Sequence, residues 1–251
     1  MKILAITQAR VGSTRLPGKV LKIIGGKTLL EIHLSRILQS KLINKLKVAT
    51  TIEPEASKII AIADKLEVES FRGSIDDVLE RFYLTALPEK PDYVVRLTSD
   101  CPLIDSVEID KVIEKCITNQ YDYVSNTFEP TFPDGMDVEV FKFSALEKAY
   151  QEAILKSDRE HVTPYIWRNS SFKGGNIFKS FNIRYQEDFS KYRLTVDTQE
   201  DFNLIENLIT NLGYNKIWQD YVDYLNQNSE LLSINSKHER NEGYQKSLKK
   251  D

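Results

Sequence analysis

Cysteine is scarce in this chain of 251 residues, and long apolar runs are missing from it. The two cysteines, Cys101 and Cys116, show no metal-ligand spacing and cannot make a disulfide framework, so we expect reduced thiols. Cys116 has apolar neighbours at helical spacing, which favours a place in the core. No stretch approaches the roughly 18 consecutive apolar residues of a membrane span, and the N-terminal stretch turns polar at Gln8 and Arg10, unlike a signal peptide. A cytoplasmic protein without a membrane segment is therefore expected.

A strong excess of charge of either sign is absent as well. The chain has 34 Lys and Arg residues against 37 Asp and Glu residues, for a net charge of -3. This balance argues against a general affinity for nucleic acid or for an anionic membrane. A site for a polyanion must therefore be built locally, from a few placed cations. Hydrophobic residues make up 41% of the chain and charged residues 28%, which suits one large α/β domain.

Short β-rich runs alternate with helical patterns in the first half of the chain, as is typical of a parallel α/β sheet. The predicted strands are Lys2–Thr7, Lys47–Thr51, Glu67–Phe71, Tyr93–Leu97, Tyr123–Ser125, Val138–Phe141 and Phe181–Tyr185. The predicted helices are Lys27–Ser40, Glu55–Lys65, Ile75–Ala86, Ser106–Asn119, Ser144–Ile154 and Gln199–Leu212. Apolar content falls after residue 228, so we expect a single domain over residues 1–228 and a flexible tail over residues 229–251.

The densest chemical signal lies in the loop after the first predicted strand, residues 8–19, with the sequence QARVGSTRLPGK. Gly12 lets the backbone come close to a ligand, and successive N–H groups there can form a nest for an anion. Arg10, Arg15 and Lys19 can neutralise a triphosphate, because arginine forks suit bidentate contacts with oxygen. The alternative, a solvated turn with incidental cations, is disfavoured because clustered cations repel one another. The loop matches neither the P-loop nor the dinucleotide-binding glycine pattern.

The loop resembles the signature of the cytidylyltransferases that make CMP-activated sugars, including the 3-deoxy-manno-octulosonate and sialic acid enzymes. The sequence of the loop looks most like that of the spore-coat polysaccharide biosynthesis branch of that family. The resemblance continues in residues 72–74 (RGS), 77–81 (DVLER), 96–104 (RLTSDCPLI), 133–141 (PDGMDVEVF), 159–165 (REHVTPY) and 193–198 (RLTVDT). It covers roughly residues 1–212, and the combination of motifs is highly specific.

The resemblance implies a Rossmann-like nucleotide-diphospho-sugar transferase fold, with a mostly parallel central sheet flanked by helices. It implies Mg²⁺-dependent transfer of CMP from CTP to an acidic sugar or phosphorylated acceptor, with release of pyrophosphate, for surface polysaccharide or glycan synthesis. Related enzymes are often dimers, so a homodimer is a further expectation. The nucleotide-binding residues would be Gln8, Ala9, Arg10, Gly12, Ser13, Arg15, Lys19, Arg72 and Ser99, and the catalytic residues Arg10, Lys19 and Asp100.

Two aspartates are candidate ligands for the magnesium ion. Asp100 stands just past the strand pattern at residues 93–97, which places a carboxylate at the carboxyl edge of the sheet. Asp197 ends a short β-like run, although residues 197–200 also fit the start of a helix, with Asp197 as its N-cap. Asp100 alone could likewise only cap a turn. The resemblance favours metal binding for both, because the matching aspartates of these enzymes bind the metal.

A third acidic cluster comprises Asp134, Asp137 and Glu139. Asp137 and Glu139 would share one face if residues 136–141 form a strand, and such a face can be merely exposed. In the family that this chain resembles, the segment borders the acceptor pocket, so all three are assigned to acceptor binding, with support of the metal as the other role left open. Asp76 and Asp77, by contrast, are better explained as the start of a helix, with Ser74 and Asp77 forming a capping box.

Three further residues are assigned to the acceptor: Arg81, Arg159 and His161. Arg81 could equally be an exposed helix arginine. Arg159 and His161 precede Pro164 and could bind a carboxylate or phosphate, although a structural role is about as well supported by the residues alone. His33 falls on the apolar face of its predicted helix and is expected to be a core histidine.

Two other classes of protein compete with a nucleotidyltransferase. A glycosyltransferase that uses nucleotide sugars typically carries a D-x-D motif, whereas residues 99–101 (SDC) offer one acid. A non-catalytic nucleotide-binding protein would be expected to lack Lys19 or the two metal-binding acids, and all three are present. The identity of the acceptor, and the choice of CTP over UTP, do not follow from any single residue.

Overall fold

The computed structural model describes residues 1–238, 240–249 and 251. Its strands are β1 (Ile3–Gln8), β2 (Ile23–Ile24), β3 (Lys27–Thr28), β4 (Lys45–Thr51), β5 (Glu69–Gly73), β6 (Tyr93–Thr98), β7 (Tyr123–Ser125), β8 (Glu139–Lys142) and β9 (Ser180–Asn182). Its helices are α1 (Leu29–Ile37), α2 (Ala56–Lys65), α3 (Val78–Ala86), α4 (Ser106–Thr118), α5 (Phe143–Glu152), α6 (Lys156–His161), α7 (Pro164–Arg168), α8 (Gln199–Leu212), α9 (Trp218–Gln227) and α10 (Glu242–Leu248). Short 3₁₀ helices lie at Lys19–Leu21, Leu87–Glu89, Ser171–Lys173 and Ser229–Ser233.

Within the described residues, one sheet carries seven strands in the order β5-β4-β1-β6-β8-β7-β9. Strand β8 runs antiparallel to its neighbours β6 and β7, while the other pairs are parallel. The expected mostly parallel α/β sheet flanked by helices is confirmed. Strands β2 and β3 form a separate antiparallel pair beside α1.

Alternation along β1 shows how the layers are built. Ile3 and Ala5 face a core formed with α1, α2 and α4, whereas Leu4 and Ile6 face a second core formed with α3, α5 and α7. A strand that is buried on both faces reads as a continuous apolar run, as this one does. Cys116 and His33 lie in the interior, each 0% exposed, which confirms both expectations.

The order of the strands creates a switch point beside β1. The chain passes from β1 to β4 and β5 on one side, and then crosses to β6 on the other side of β1. Ligands of open α/β sheets bind in the crevice at such a point, outside the carboxyl ends of the strands. The loops that follow Gln8 of β1 and Thr98 of β6 therefore lie side by side, since these two residues are register partners.

A third core lies under α8 and α9 and is centred on Trp218, which is 0% exposed and makes edge contacts with Phe132, Tyr185 and Phe189. Tyr192, Leu194 and Val196 belong to the same core, which holds the run of residues 192–196 in place. Asp134 and Arg193 form an isolated parallel bridge, so the expected β-like run before Asp197 is extended without being a strand of the sheet.

The segment after residue 228, for which the composition predicts a flexible tail, has helical structure among its described residues. It contains the 3₁₀ helix at Ser229–Ser233 and helix α10, and Asn235 and Ser247 are each 3% exposed. Its contacts are mostly polar, in keeping with its low apolar content, and its flexibility stays a prediction. No helix in the part of the chain that the structure describes is long and apolar enough to cross a membrane.

Several element boundaries also differ. Between the predicted elements, residues 156–168 form two short helices, α6 and α7, separated at Val162. Val162 has a φ of 71°, and the Thr163 N–H donates to the His161 carbonyl at 2.8 Å, so a tight three-residue turn breaks the helix there. Helix α3 begins later than predicted, because Asp77 itself is the N-cap and accepts a hydrogen bond from the Glu80 N–H.

Candidate active site

The loop of residues 9–19 folds back on itself above the end of β1. The N–H groups of Ser13 and Gly18 both donate to the Val11 carbonyl, at 2.8 and 3.0 Å. Gly18 has a φ of 67°, a left-handed conformation that glycine adopts readily, and it leads directly into the 3₁₀ helix that begins at Lys19. This turn aims the Lys19 side chain back across the end of the sheet.

Lys19 joins the two aspartates that were predicted as metal ligands. Its ammonium lies 3.2 Å from Asp100 Oδ2 and 2.8 Å from Asp197 Oδ1, and it also donates to the Val196 carbonyl at 2.9 Å. Burial alone would lower the pKa of Lys19, but the charges of the two aspartates outweigh it and raise that pKa. Burial would likewise raise the pKa of Asp100, yet Lys19 and the Thr98 hydroxyl hold it well below its usual range. Asp100 is therefore an anion at neutral pH.

Asp197 is positioned by the first turn of α8. Thr198, not Asp197, is the N-cap of this helix, and Thr198 and Asp201 form a capping box. Asp201 accepts a hydrogen bond from the Asp197 N–H at 2.9 Å, while Arg193 reaches Asp197 Oδ2 at 3.3 Å. The capping interpretation of Asp197 is wrong, and its carboxylate is left to face Lys19.

Backbone contacts bring Asp100 and Asp197 together. The Val196 N–H donates to the Asp100 carbonyl at 2.7 Å, and the Leu194 N–H donates to the Asp134 carbonyl at 2.7 Å. Gly135, with a φ of 105°, allows this approach, because a Cβ there would lie 2.7 Å from the carbonyl carbon of Leu194. The run of residues 193–197 is thus laid directly beside the loop that follows β6.

The other cations of the loop lie on either side of Lys19. Arg15 pairs with Asp197 Oδ2 at 2.9 Å and with Glu242 Oε2 at 3.5 Å. Arg10 is exposed and lines the cleft. Arg81 is buried, not exposed, and donates to the Ser74 carbonyl at 2.5 Å. Burial, and then the nearby Arg10 charge, lower the pKa of Arg81 to about 10, which marks a cationic pocket.

The acidic cluster is almost fully paired with arginines. Arg193 donates to Asp134 at 2.6 Å, Arg240 binds Asp137, and Arg96 binds Glu139. Burial, and then the charge of Asp137, raise the pKa of Asp134 to about 7 despite Arg240 and Arg193. These ion pairs form a neutralised network rather than an exposed acidic face, and all three acids line the cleft.

Arg159 and His161 lie on α6 at the far side of the cleft. Arg159 forms a two-pronged contact with Asp77, at 2.6 and 2.8 Å, and thereby ties α6 to the start of α3. His161 Nε2 lies 2.9 Å from the Ser247 hydroxyl of α10. Burial, and then the charge of Arg96, lower the pKa of His161 to about 4, so this ring is neutral at pH 7.

Most of the predicted site residues line one cleft of about 1020 Å³ above the carboxyl ends of β1 and β6. Gln8, Ala9 and Ser99 lie at its floor, and Ser13 lies in the loop beside it. Two predicted nucleotide-binding residues are placed elsewhere. Arg72 donates to the carbonyls of residues 51–53 at the end of β4, and Gly12 is exposed without lining the cleft.

Four charged residues of the site were missed by the sequence analysis: Arg96, Arg193, Asp201 and Arg240. Arg96 and Arg193 each open a motif that was recognised for its acid. Asp201 follows Thr198 at capping-box spacing, which was a usable signal. Arg240 lies in the segment that was expected to be flexible, and nothing local predicts its partner.

Asp100 and Asp197 suit a magnesium ion. In the described residues, no three His, Cys, Asp or Glu side chains come close enough to hold a metal by themselves. Mg²⁺ commonly takes only one or two protein carboxylates, with phosphate oxygens and water completing its shell. Both aspartates already face one cation, the Lys19 ammonium, so their oxygens converge on a shared cationic position. The site can therefore hold a metal once a polyphosphate supplies the remaining oxygens.

The site combines a cationic loop with two converging carboxylates, above the carboxyl ends of a mostly parallel sheet. This combination is typical of a nucleotidyltransferase. The chain belongs to the cytidylyltransferase family, whose profile, described as Cytidylyltransferase, matches residues 4–237. It is 33% identical over 221 residues to the spore coat polysaccharide biosynthesis protein SpsF of Bacillus subtilis, covering 84% of this chain and 88% of that one. It is 41% identical over 239 residues to an uncharacterized protein of Methanocaldococcus jannaschii, covering 94% of this chain and 95% of that one.

A solved structure supports the same assignment. The cytidylyltransferase from Leptospira borgpetersenii serovar Hardjo-bovis superposes with a TM-score of 0.87 at 38% identity, covering 96% of this chain and 99% of that one. The expected membership of the sugar cytidylyltransferase family is confirmed, and the protein is a nucleotidyltransferase enzyme.

Proposed function

We propose that this enzyme transfers CMP from CTP to a small sugar-like acceptor, an acidic sugar or a phosphorylated compound, with Mg²⁺ and release of pyrophosphate. The observation that supports this proposal most strongly is the position of the Lys19 ammonium. It lies 3.2 Å from Asp100 and 2.8 Å from Asp197, beside a loop with two more cations. The name of the Bacillus relative favours a role in the synthesis of a surface polysaccharide or glycan.

The cationic and the acidic residues of the cleft have different roles in this proposal. Arg10, Arg15 and Lys19 neutralise the triphosphate, and Asp100 and Asp197 would hold the metal against it. Magnesium, if bound by these residues, would stabilise the negative charge that develops on the phosphate groups during transfer. Asp100 has a depressed pKa, so it suits a fixed negative charge better than the transfer of a proton.

The acceptor enters from the side of α6 and the arginine-neutralised acids. One of its oxygens forms a bond to the α-phosphorus, and the bond from that phosphorus to the oxygen shared with the β-phosphate breaks. Pyrophosphate leaves with that oxygen, and the proton of the acceptor hydroxyl passes to a base or to water.

The test is pyrophosphate release from CTP, UTP, ATP and GTP, with Mg²⁺, against a panel of acidic sugars and sugar phosphates. Release that requires CTP and one acceptor, and that is lost in Asp100→Asn, supports the proposal and names the acceptor. Release with UTP alone would keep the reaction but overturn the assignment of cytidine. Asp110→Asn is the matched control, because Asp110 lies on α4 and binds Ser40 away from the cleft.

A further inference from the structure

The end of the chain crosses the mouth of the cleft. At one end of this segment, Asn235 donates to the Arg193 carbonyl at 3.1 Å and to Asp201 Oδ1 at 2.9 Å. At its other end, the Ser247 hydroxyl lies 2.9 Å from His161 Nε2 and 2.8 Å from Glu160 Oε2. The described residues of this segment, 235–238 and 240–249, are named the C-terminal strap. It spans from Arg193 and the first turn of α8 to helix α6 on the opposite wall.

Between these anchors the strap places two charged side chains into the site. Arg240 binds Asp137 and lies 3.9 Å from Asp134, on the side assigned to the acceptor. Glu242 lies 3.5 Å from the Arg15 guanidinium, on the side of the phosphate loop. Residues 241–245 line the cleft itself. The strap therefore borders the cleft that the proposed function assigns to the substrates.

The contact between Glu242 and Arg15 is of the kind that a phosphate group would make with the same guanidinium. A carboxylate oxygen and a phosphate oxygen accept from the same N–H groups of a guanidinium. Arg15 contacts Asp197 through one terminal nitrogen and Glu242 through the other, so a phosphate oxygen would compete with Glu242 for the second nitrogen. The carboxylate of Glu242 thus stands where an oxygen of a nucleoside triphosphate can bind. Two anions on one side of Arg15 repel each other, so the polyphosphate and Glu242 compete for that guanidinium.

We infer that the C-terminal strap is a displaceable latch: Glu242 occupies a phosphate position on Arg15, and binding of a nucleoside triphosphate releases the strap from the cleft. This inference rests on the proposed function for the class of ligand. It assigns a regulatory role to a segment that packs over the site without belonging to the sheet.

The contacts of the strap are of a kind that can break locally. They are ion pairs and hydrogen bonds. Among the described strap residues, only Asn235 and Ser247 are less than a tenth exposed. Tyr244 adds aromatic contacts to the packing of the strap. Its ring makes edge contacts with His161 and Trp167, at 5.2 and 6.0 Å between centroids. Segments with few buried apolar contacts open at a small fraction of the global free energy of unfolding.

Hydrogen exchange on the full-length protein gives the first test. With saturating CTP and Mg²⁺, the backbone amides of α10 should exchange faster than in the free protein, because the strap leaves the cleft. The amides of α8, which Asp201 anchors in the same region, should not exchange faster. Increased protection of α10 with CTP would overturn the inference, since it would make the strap a wall that closes on the nucleotide.

Calorimetric titration with CTP and Mg²⁺ gives the second test. Glu242→Gln removes the competing charge but keeps the shape, so CTP should bind about two- to fivefold more tightly, the range of a partly exposed ion pair. Glu230→Gln is the matched control, because Glu230 is an exposed acid on the 3₁₀ helix at Ser229–Ser233. Equal or weaker CTP binding by Glu242→Gln, relative to that control, contradicts the latch.

The two proposals fail in different ways. If wild-type protein binds CTP and Glu242→Gln does not bind it more tightly, the latch is wrong and the proposed function stands. If wild-type protein shows no binding but Glu242→Gln binds CTP, the latch is supported in its strongest form. If neither binds CTP, both proposals are overturned.

Discussion

At the scale of single residues, the site depends on one lysine between two acids. Without its ammonium, Asp100 and Asp197 would repel each other across a half-buried gap, and no group would be poised to meet the phosphates. The side chain of Lys19 is 12% exposed, so its charge is only weakly screened by water. Lys19 therefore serves both the geometry of the free enzyme and, in the proposed function, the binding of the nucleotide.

Replacing Lys19 with alanine should lower kcat by roughly 100- to 1000-fold, the loss found when one preorganised charge-stabilising donor is removed. The measurement is pyrophosphate release under the conditions of the substrate screen. Lys22→Ala is the control, because Lys22 lies over the Phe202 ring and binds Gln199 outside the cleft, and its rate should stay within about twofold of wild type. A rate for Lys19→Ala within tenfold of wild type would remove this lysine from the catalytic residues.

His33 supports the site from beneath. Its ring nitrogens lie 2.8 Å from the Thr7 hydroxyl and 2.9 Å from the Cys101 carbonyl, which links α1 to β1 and to the turn that carries Asp100. The Nδ1–H donates to the carbonyl, so Nε2 accepts from the hydroxyl and the ring is neutral. Burial lowers the pKa of His33 to about 4.

This lowered pKa has a defined effect on stability. An unfolded histidine takes up its proton near pH 6.5, whereas the folded ring resists protonation until about pH 4. The contribution is therefore complete above pH 6.5 and is lost as the pH falls towards 4. Ring resonances in NMR spectra should show His33 neutral at pH 5.5. Thermal unfolding of His33→Gln should depend less on pH in this window than that of wild type, and an NMR midpoint near 6.5 would refute the argument.

At the scale of elements, the first turn of α8 is the anchor of the site. Asp201, which is 0% exposed, accepts hydrogen bonds from the Arg193 side chain, from the N–H groups of Asp197 and Thr198, and from Asn235. One buried carboxylate thus caps a helix, holds an arginine, orients Asp197 and fastens the C-terminal strap.

Asp201→Asn should lower the free energy of unfolding by about 3–5 kcal/mol, because it leaves the buried Arg193 charge without its main partner. Urea unfolding monitored by circular dichroism measures this change. Glu206→Ala, at an exposed position of the same helix, should stay within about 0.5 kcal/mol of wild type. If both variants unfold at the same urea concentration, Asp201 is not the anchor that its contacts indicate.

The elements differ in how far they could be predicted. Strands β1, β4 and β6 and helices α1 to α4 follow from local periodicity, since a buried strand or an apolar helix face is visible in a window of about ten residues. The division between the short helices α6 and α7 could not be predicted from the sequence. The turn that divides them places Val162, a buried β-branched residue, in a left-handed conformation, and only tertiary packing holds it there.

At the scale of the whole molecule, the site was predictable where its residues follow strand ends. Asp100 and the loop after β1 were expected together, because the carboxyl ends of neighbouring parallel strands meet at one edge of the sheet. The pairing of Arg193 with Asp134 and Asp201, and of Arg240 with Asp137, joins residues up to 103 positions apart. Such contacts are created by the fold, and charge patterns along the chain do not encode them.

The opposite edge of the sheet carries a second charge network, which should govern stability in acid. Glu89 accepts from Lys2, Lys45 and Lys47 at 3.0, 2.9 and 2.6 Å, near the amino ends of β1 and β4 and away from the cleft. Hydrogen bonds from Lys47 and then Lys45 lower the pKa of Glu89 to about 2. A carboxyl whose folded pKa is depressed adds stability above its ordinary value of 4.5, and that stability is lost as the pH falls towards 2.

Glu89→Gln should therefore destabilise the protein by about 1–3 kcal/mol at pH 7, since Lys47 is buried and loses its closest anion. The difference from wild type should shrink as the pH is lowered from 4.5 towards 2, where the wild-type carboxyl also becomes neutral. Thermal unfolding across this range measures both effects, with Glu114→Gln on the exposed face of α4 as the control. A difference that stays constant with pH would mean that the loss at Glu89 is one of packing, because only a lost charge can follow the titration of the carboxyl.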